Sequence, residues 1–533
     1  MERFVGWWKK ENRYKLLVKA VLMGLLPLLC CVVTCAAQGK AIWDVYLPNS
    51  EWNDELFYFK QVEGIVHFGY PQGYFGFNES HALRLSFAAW SPVLVFPWIL
   101  WGLLFGWNLM SPILCNVVLM TAAMVLFVCL VKPSWKQLGV LTLLFCLYTH
   151  FVRYMLSGMP EIICMSLLII FYGLALNYLN RERIYKLVLL FVLSGVLTLM
   201  RPYMLLFMLL PVYLWVRRSG LKGLFGSLFV LAAVGGSYAL IKHYLGAEYF
   251  TPLFFTDWIT AFFERGFFGG LRYFFSKLYW MGTDFLRYTI QGFRSGMAAG
   301  TAFGGYLLMM AVLLWQTGAD FLKQRREKKE KEPVFIIEAH LALCFVGMQF
   351  ALLLMYKLTE GSKHLLTFIG VGIFVVSLMR TRFYKKAALL GAAFAFFYTY
   401  MAVEPYDYQV PYVTEERQVQ IETWRQELAK QVQLEREETP SFENVAIWLL
   451  YDNTQEGTVG DTWQILYALP EGMGISCCYP EYVTENFQSL KSRYIAAIPG
   501  GEVARLCEEA GYALLYSDQD MAFYDRMQQG AYF

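Results

Sequence analysis

From residue 16 to residue 402 the chain alternates long apolar runs with short clusters of lysine and arginine. The longer runs reach the roughly 20 residues that a helix needs to cross hydrocarbon, so the pattern predicts a polytopic α-helical membrane protein. Short loops rich in lysine and arginine stay cytoplasmic, and this orients the runs. Basic clusters fall at 9–15, 132–136, 181–186, 217–222, 323–331 and 380–386. Placing all six inside predicts an outward span over 16–37, an external segment over 38–109 and an inward span over 110–131. Spans then follow over 138–152, 162–179, 187–200, 204–216 and 224–243, before a second long external segment over 244–298. The last four spans run over 299–315, 334–356, 365–378 and 387–401. That makes about eleven crossings, with the N-terminus inside and the C-terminus outside. The first run has a basic flank, but its apolar stretch is long and no small-residue cleavage site is convincing, so it reads as a retained anchor.

This count requires that the apolar run 87–105 does not cross, because otherwise the 323–331 cluster would lie outside. Pro92 and Pro97 interrupt that run, and Trp90, Trp98, Trp101 and Trp107 crowd it. Both features suit an element lying at the interface.

After residue 402 the pattern changes. Residues 415–438 carry charges throughout, with Val419, Ile421, Trp424, Leu428 and Val432 at helical spacing, which predicts a charged amphipathic helix or stalk over 403–439. Beyond Pro440, short β-rich runs at 444–451, 475–478, 494–498 and 512–516 alternate with helical patterns such as 501–511. They predict a small extracytoplasmic α/β domain over 440–533, following a transmembrane module over 1–402.

Composition agrees with the pattern: 57% of the 533 residues are hydrophobic and only 16% charged, against about 25% charged in soluble domains. The net charge of +3 hides an asymmetry, because the residues from 403 onward include 22 acidic and 8 basic side chains. The basic excess therefore belongs to the membrane part and the acidic excess to a solvated tail. Eight of the eleven cysteines lie in or beside apolar runs, where a small polarizable side chain packs well. Cys477, Cys478 and Cys507 in the tail have no metal-ligand spacing, and a disulfide among them stays open.

Chemistry concentrates in the loops assigned to the outside. Asp54 and Glu55 follow the first span closely, with Tyr58 and Gly64 after them and then the aromatic-glycine stretch 68–76, which includes Tyr70 and Tyr74. A carboxylate at a membrane edge loses part of its hydration and becomes a better base; the plain alternative is a solvated loop end. Glu161 closes the Ser157-Gly-Met-Pro-Glu turn before the fourth span, where a helix start favours a carboxylate on electrostatic grounds alone. Arg201, with Pro202, sits between two short spans, and Lys363 and His364 occupy the last external turn before a span. Arginine at a membrane edge is costly unless partnered, whereas lysine can simply snorkel. Arg153 precedes the Glu161 turn. The segment 266–296 mixes aromatics with Arg272, Lys277, Arg287 and Arg294, as an amphipathic helix against lipid or a groove wall would. Asn78-Glu-Ser80 matches a glycosylation acceptor pattern that also arises by chance.

A first span, an outside acidic pair ahead of Tyr58, an aromatic-glycine loop and a Trp/Pro-rich juxtamembrane element together resemble the GT-C superfamily of polyprenyl-phosphate-sugar-dependent glycosyltransferases. Protein mannosyltransferases and the aminoarabinose transferase of lipid A belong to it, and the likeness covers roughly residues 10–400. The resemblance implies a GT-C-like catalytic module whose long first external loop carries juxtamembrane helices, in a bacterial cell membrane. It implies a polyprenyl-phosphate-linked sugar donor and a glycan, lipid or protein acceptor. Asp54 would be the catalytic base, with Glu55 beside it. Arg201, Lys363, His364 and Arg153 would meet the donor phosphate, and Tyr58, Tyr70 and Tyr74 would line the substrate loop. Glu161 stands where relatives often carry Asp; it would hold the acceptor, tune Asp54 or ligate a divalent cation, so no cofactor is assigned and a metal stays open.

The chain has no nucleotide-sugar fingerprint, and location excludes nucleic acid, so a donor has to arrive through the membrane. The expected reaction is transfer with inversion. Two rivals remain: a transporter or flippase of lipid-linked sugars, which would want inverted repeats and ionisable residues near the midplane, and a non-catalytic cell-envelope assembly protein.

Overall fold

The computed structural model describes residues 13–45, 53–69, 75–79, 91–148, 150–245, 255–295, 297–327, 332–356, 358, 361–378, 414–432, 434, 442–449 and 466–526. Six helices among them are long and apolar enough to cross a membrane: Arg13–Ala37, Ser111–Val131, Glu161–Asn180, Leu221–Leu245, Ala302–Glu327 and Pro333–Met355. Four shorter apolar helices accompany them, over Pro92–Phe105, Trp135–Cys146, Ile184–Met200 and Lys363–Leu378. The expected count of eleven is not reproduced as such. The 138–152 stretch divides between the helices Trp135–Leu147 and His150–Met155, and 204–216 divides between the 3-10 turn Pro202–Met208 and the helix Leu209–Ser219. The segment 387–401 lies outside the described residues.

The helix Glu161–Asn180 is the centre of the bundle. It is apolar on every side and buried over most of its length, as expected of a helix surrounded by others. Ser111–Val131, Ile184–Met200, Pro333–Met355 and Gly361–Leu378 pack around it. Small residues permit these approaches: a Cβ on Gly173 would stand 3.4 Å from Leu130, and one on Gly370 would collide with Met165. Leu221–Leu245, in contrast, is almost wholly exposed at the periphery.

Side-chain contacts define two ends of the bundle. At one end Lys19 Nζ donates to the Pro133 carbonyl at 2.7 Å, Asn177 Nδ2 to Leu130 O at 2.8 Å, and Gln137 Nε2 to Leu378 O at 3.3 Å. The basic clusters at 9–15, 132–136 and 181–186 adjoin these residues in sequence. The helix Gly361–Leu378 has 18 residues and therefore spans about 27 Å, so Lys363 stands at the opposite end.

Among the described residues, five strands of the tail and one from the first loop form a six-stranded sheet in the order β1-β3-β2-β4-β6-β5. Its strands are β1 Phe75–Phe77, β2 Val445–Leu449, β3 Gly474–Cys478, β4 Tyr494–Ala497, β5 Ala513–Ser517 and β6 Ala522–Asp525. β2, β3 and β4 are buried at every position, as parallel strands covered on both faces should be. Ile447 and Leu449 face the helices Pro480–Glu485 and Glu502–Glu509, while Ala446 and Trp448 join the core that continues into the membrane helices. The charged helix Glu415–Gln431 packs on this domain instead of standing as a free stalk. Ile421, Trp424 and Leu428 are buried, and the Trp424 indole donates to Asp518. All eleven cysteines are free thiols.

β1 comes from the first loop, and it pairs in parallel with β3 through Phe75 opposite Ile475 and Phe77 opposite Cys477. Asn78 and Glu79 then adopt positive φ of 49° and 53°, a conformation that side chains other than glycine seldom take. Tertiary contacts hold it there. The Glu79 carboxylate accepts from the backbone N–H of Lys491 at 3.0 Å and Ser492 at 2.6 Å, and Asn78 Oδ1 accepts from Tyr479 N at 3.2 Å. The side chain that matches a glycosylation pattern is thus used to fasten the tail.

Candidate functional site

The helix Asn53–Phe68 places its acidic pair in the first turn, where the positive end of the helix dipole favours carboxylates. Its side chains divide between two faces at helical spacing. Asp54 and Tyr58 look toward the membrane helices, and Glu55, Phe59 and Glu63 look toward the tail.

On the first face the Asp54 carboxylate forms an ion pair with the Lys363 ammonium, from the first turn of Gly361–Leu378. Both side chains keep partial access to solvent, 29% and 20%. Behind them lies a closed cluster. Arg201 caps the helix Ile184–Met200, where Pro202 begins a 3-10 turn and helical hydrogen bonding changes. Arg201 Nη2 donates to Glu161 Oε1 at 2.5 Å, with both side chains 1% exposed. Its Nη1 donates to Tyr203 Oη at 3.2 Å and to His364 Nδ1. Tyr203 Oη lies 2.9 Å from the same Nδ1, and His364 Nε2 lies 2.8 Å from Tyr356 Oη. A guanidinium can only donate, so Nδ1 is the acceptor and Nε2 carries the proton, which makes His364 neutral. Tyr58 is buried within electrostatic reach of Asp54, Arg201, Glu161 and Tyr356; burial first and the Asp54 charge second hold its phenol well above the ordinary value. Glu161 Oε2 is buried and accepts no hydrogen bond among the described residues.

The turn before Glu161 is clamped from behind. Asn116, fully buried, directs Nδ2 to the carbonyls of Ser157 at 3.3 Å and Met159 at 3.4 Å. Its Oδ1 accepts from Trp98 Nε1 at 3.0 Å. A Cβ on Gly158 would meet the Glu55 Cβ at 3.3 Å, so the turn lies directly against the acidic pair.

On the second face Glu63 Oε2 accepts from Lys60 Nζ at 2.7 Å and from the backbone N–H of Gly472 at 3.4 Å. Burial raises the Glu63 carboxyl above its ordinary value, although Lys60 works the other way. Gly472 has φ +92°, and any Cβ there would stand 2.9 Å from the His67 ring, so this crossing suits glycine.

Asp54, Tyr58, Glu161, Arg201, Lys363 and His364 therefore share one locality, and Glu55 adjoins it on the neighbouring face. Arg153 is buried on the helix His150–Met155, within charge reach of Lys40. Tyr70 and Tyr74 lie outside the described residues. Among the described residues no group of three or more His, Cys, Asp or Glu is arranged to hold a metal ion, and Glu161 faces the Arg201 guanidinium. Tyr203, Tyr356 and Asn116 carry no mark in the sequence, and Trp98 stands out there only as one of the tryptophans crowding 87–105. Tyr203 follows Arg201-Pro202 and Tyr356 ends a span, positions where an aromatic residue is ordinary.

No protein-family model matches the chain, and no curated protein matches it. Among solved structures, ArnT from Cupriavidus metallidurans in the apo state is similar with a TM-score of 0.41 and 10% identity, over 95% of this chain and 97% of that one. The same protein bound to undecaprenyl phosphate gives 0.40 and 10%, over 95% of this chain and 98% of that one.

Proposed function

We propose that this protein is a membrane glycosyltransferase that moves a sugar from a polyprenyl-phosphate donor to an extracytoplasmic acceptor with inversion. The observation that carries this reading is the pairing of Asp54 with Lys363, 309 positions apart in sequence, at the bundle end opposite the basic clusters.

An ion-paired carboxylate is a poor base until its partner is drawn away. A donor phosphate supplies that pull, because it offers Lys363 a stronger anion. Asp54 then takes the proton of the acceptor hydroxyl as that oxygen attacks the anomeric carbon. The bond from this carbon to the phosphate oxygen breaks on the opposite face, and polyprenyl phosphate departs as an anion without needing an acid. Lys363 stabilises the charge growing on it, and the buried Arg201 adds its positive field from behind. Glu161 holds Arg201 in place and keeps that charge compensated between turnovers. In this reading residues 1–402 are the catalytic module and residues 440–533 an external domain that covers it.

A positioned base contributes roughly 10²–10⁴-fold. Asp54→Asn is therefore expected to slow release of polyprenyl phosphate from a lipid-linked sugar by more than about a hundredfold while donor binding persists. Near-normal turnover in that variant removes Asp54 from the mechanism. Failure of the wild-type protein to release polyprenyl phosphate from any lipid-linked sugar removes the reading as a whole.

A further inference from the structure

Among the described residues, the tail reaches toward the acidic pair with a buried tyrosine. Tyr467, from the 3-10 turn Leu466–Ala468, is 4% exposed, and its ring lies 5.3 Å from that of Phe59 on the helix Asn53–Phe68. Its hydroxyl has no hydrogen-bond partner among the described residues. The Glu55 carboxylate, 1% exposed and four residues before Phe59, lies within electrostatic reach of that phenol, which burial holds well above its ordinary value. A buried hydroxyl left without a partner costs about 1–3 kcal/mol, so its retention calls for a ligand that satisfies it.

We infer that Tyr467 and Glu55 form an acceptor-binding site between the tail and the helix Asn53–Phe68, and that its ligand is a hydroxyl-bearing acceptor. The chemistry is complementary. A carboxylate only accepts and the phenol has a proton to donate, and a hydroxyl does both. Acceptor groups carrying negative charge are disfavoured, because the Glu55 carboxylate lines the site. The binding also gives the docked tail a role: the strand pairing of β1 with β3 and the Glu63–Gly472 contact hold Tyr467 against the helix that carries Asp54. This inference rests on the glycosyltransferase reading and adds to it where the acceptor lies.

The test uses full-length protein and a donor with a radiolabelled sugar on polyprenyl phosphate. The acceptor probe is envelope membrane from a strain lacking the protein, which holds the unmodified acceptor whatever its class. Label incorporation is measured against the amount of envelope added. Tyr467→Phe keeps the ring against Phe59 and removes only the hydroxyl. It is expected to raise the half-saturating amount of envelope about fivefold to tenfold, as loss of one buried hydrogen bond would, with a smaller change in the rate at saturation. An unshifted half-saturation point, or a fall in the saturating rate alone, overturns the inference. Should Tyr467→Phe fail to fold, Glu55→Gln takes its place, with the same shift expected and an unshifted curve equally decisive. Wild-type protein that neither releases polyprenyl phosphate nor labels the envelope defeats the glycosyltransferase reading instead; a saturable wild-type curve beside an unshifted variant defeats only the Tyr467 site.

Discussion

Two ion pairs meet at this site, and their burial predicts opposite consequences of breaking them. Glu161 and Arg201 are each 1% exposed. Removing one partner leaves the other charge in a medium that cannot solvate it, a loss of about 3–5 kcal/mol for pairs of this kind. Asp54 and Lys363 are 29% and 20% exposed, so water compensates most of what the pair provides and about 1 kcal/mol is an upper figure. Glu161→Gln should therefore lower the melting temperature in detergent at least about three times as far as Asp54→Asn does. Activity should rank the other way, with Asp54→Asn the more damaging per degree of stability lost. The double variant Glu161→Gln, Arg201→Gln removes both charges and should melt above the level expected from adding the two single losses, by a coupling of about 1 kcal/mol or more. Melting measured by intrinsic fluorescence on all four variants and the wild type decides it. Equal losses for Glu161→Gln and Asp54→Asn, or strict additivity in the double variant, would refute the assignment of the buried pair as the structural anchor and the exposed pair as the working one.

Three further outcomes follow from the geometry. Glu63 carries a carboxyl raised by burial, so the folded state holds its proton more tightly than the unfolded chain. Its contribution to stability is complete below the ordinary carboxylate value and is lost as pH rises through the folded value; Glu63→Gln should flatten that fall above the ordinary carboxylate value in a pH series of melts, and an unchanged or steeper fall would contradict it. Glu79→Ala removes the acceptor of the Lys491 and Ser492 N–H groups and should release β1 at a cost of about 1–3 kcal/mol, seen as faster limited proteolysis in the first loop, with an unchanged cleavage rate as the contrary result. Asn116→Leu unclamps the turn before Glu161 and should reduce transfer about tenfold or more, since an error of about 1 Å at a reacting group is costly; Asn116→Asp keeps Oδ1 for Trp98 but not the donor, and activity near wild type in both would refute the clamp.

The membrane class of the chain could be read from its residues because it depends on local quantities. Run length sets whether a helix crosses hydrocarbon, and the acidic tail after residue 402 stands apart by charge alone. The candidates Asp54, Glu161, Arg201 and Lys363 were also visible, since charged side chains beside apolar runs are expensive and therefore informative. Their pairing was not. Which carboxylate meets which cation depends on how the helices pack around Glu161–Asn180, and apolar surfaces of similar length carry no code for that order. Helix breaks were only partly legible: Tyr148-Thr149-His150 could have marked the one inside 138–152, whereas 204–216 stays mostly apolar while its hydrogen bonding is of the 3-10 kind up to Met208. The assignment of β1 to the tail's sheet was beyond the sequence as well: parallel pairing joins strands with no turn between them, so three residues of the first loop gave no sign of a partner about 400 positions away. Tertiary structure alone decided that the C-terminal domain and the acidic helix pack together, because only packing brings Tyr467 and Gly472 to the side of the helix that Asp54 does not use.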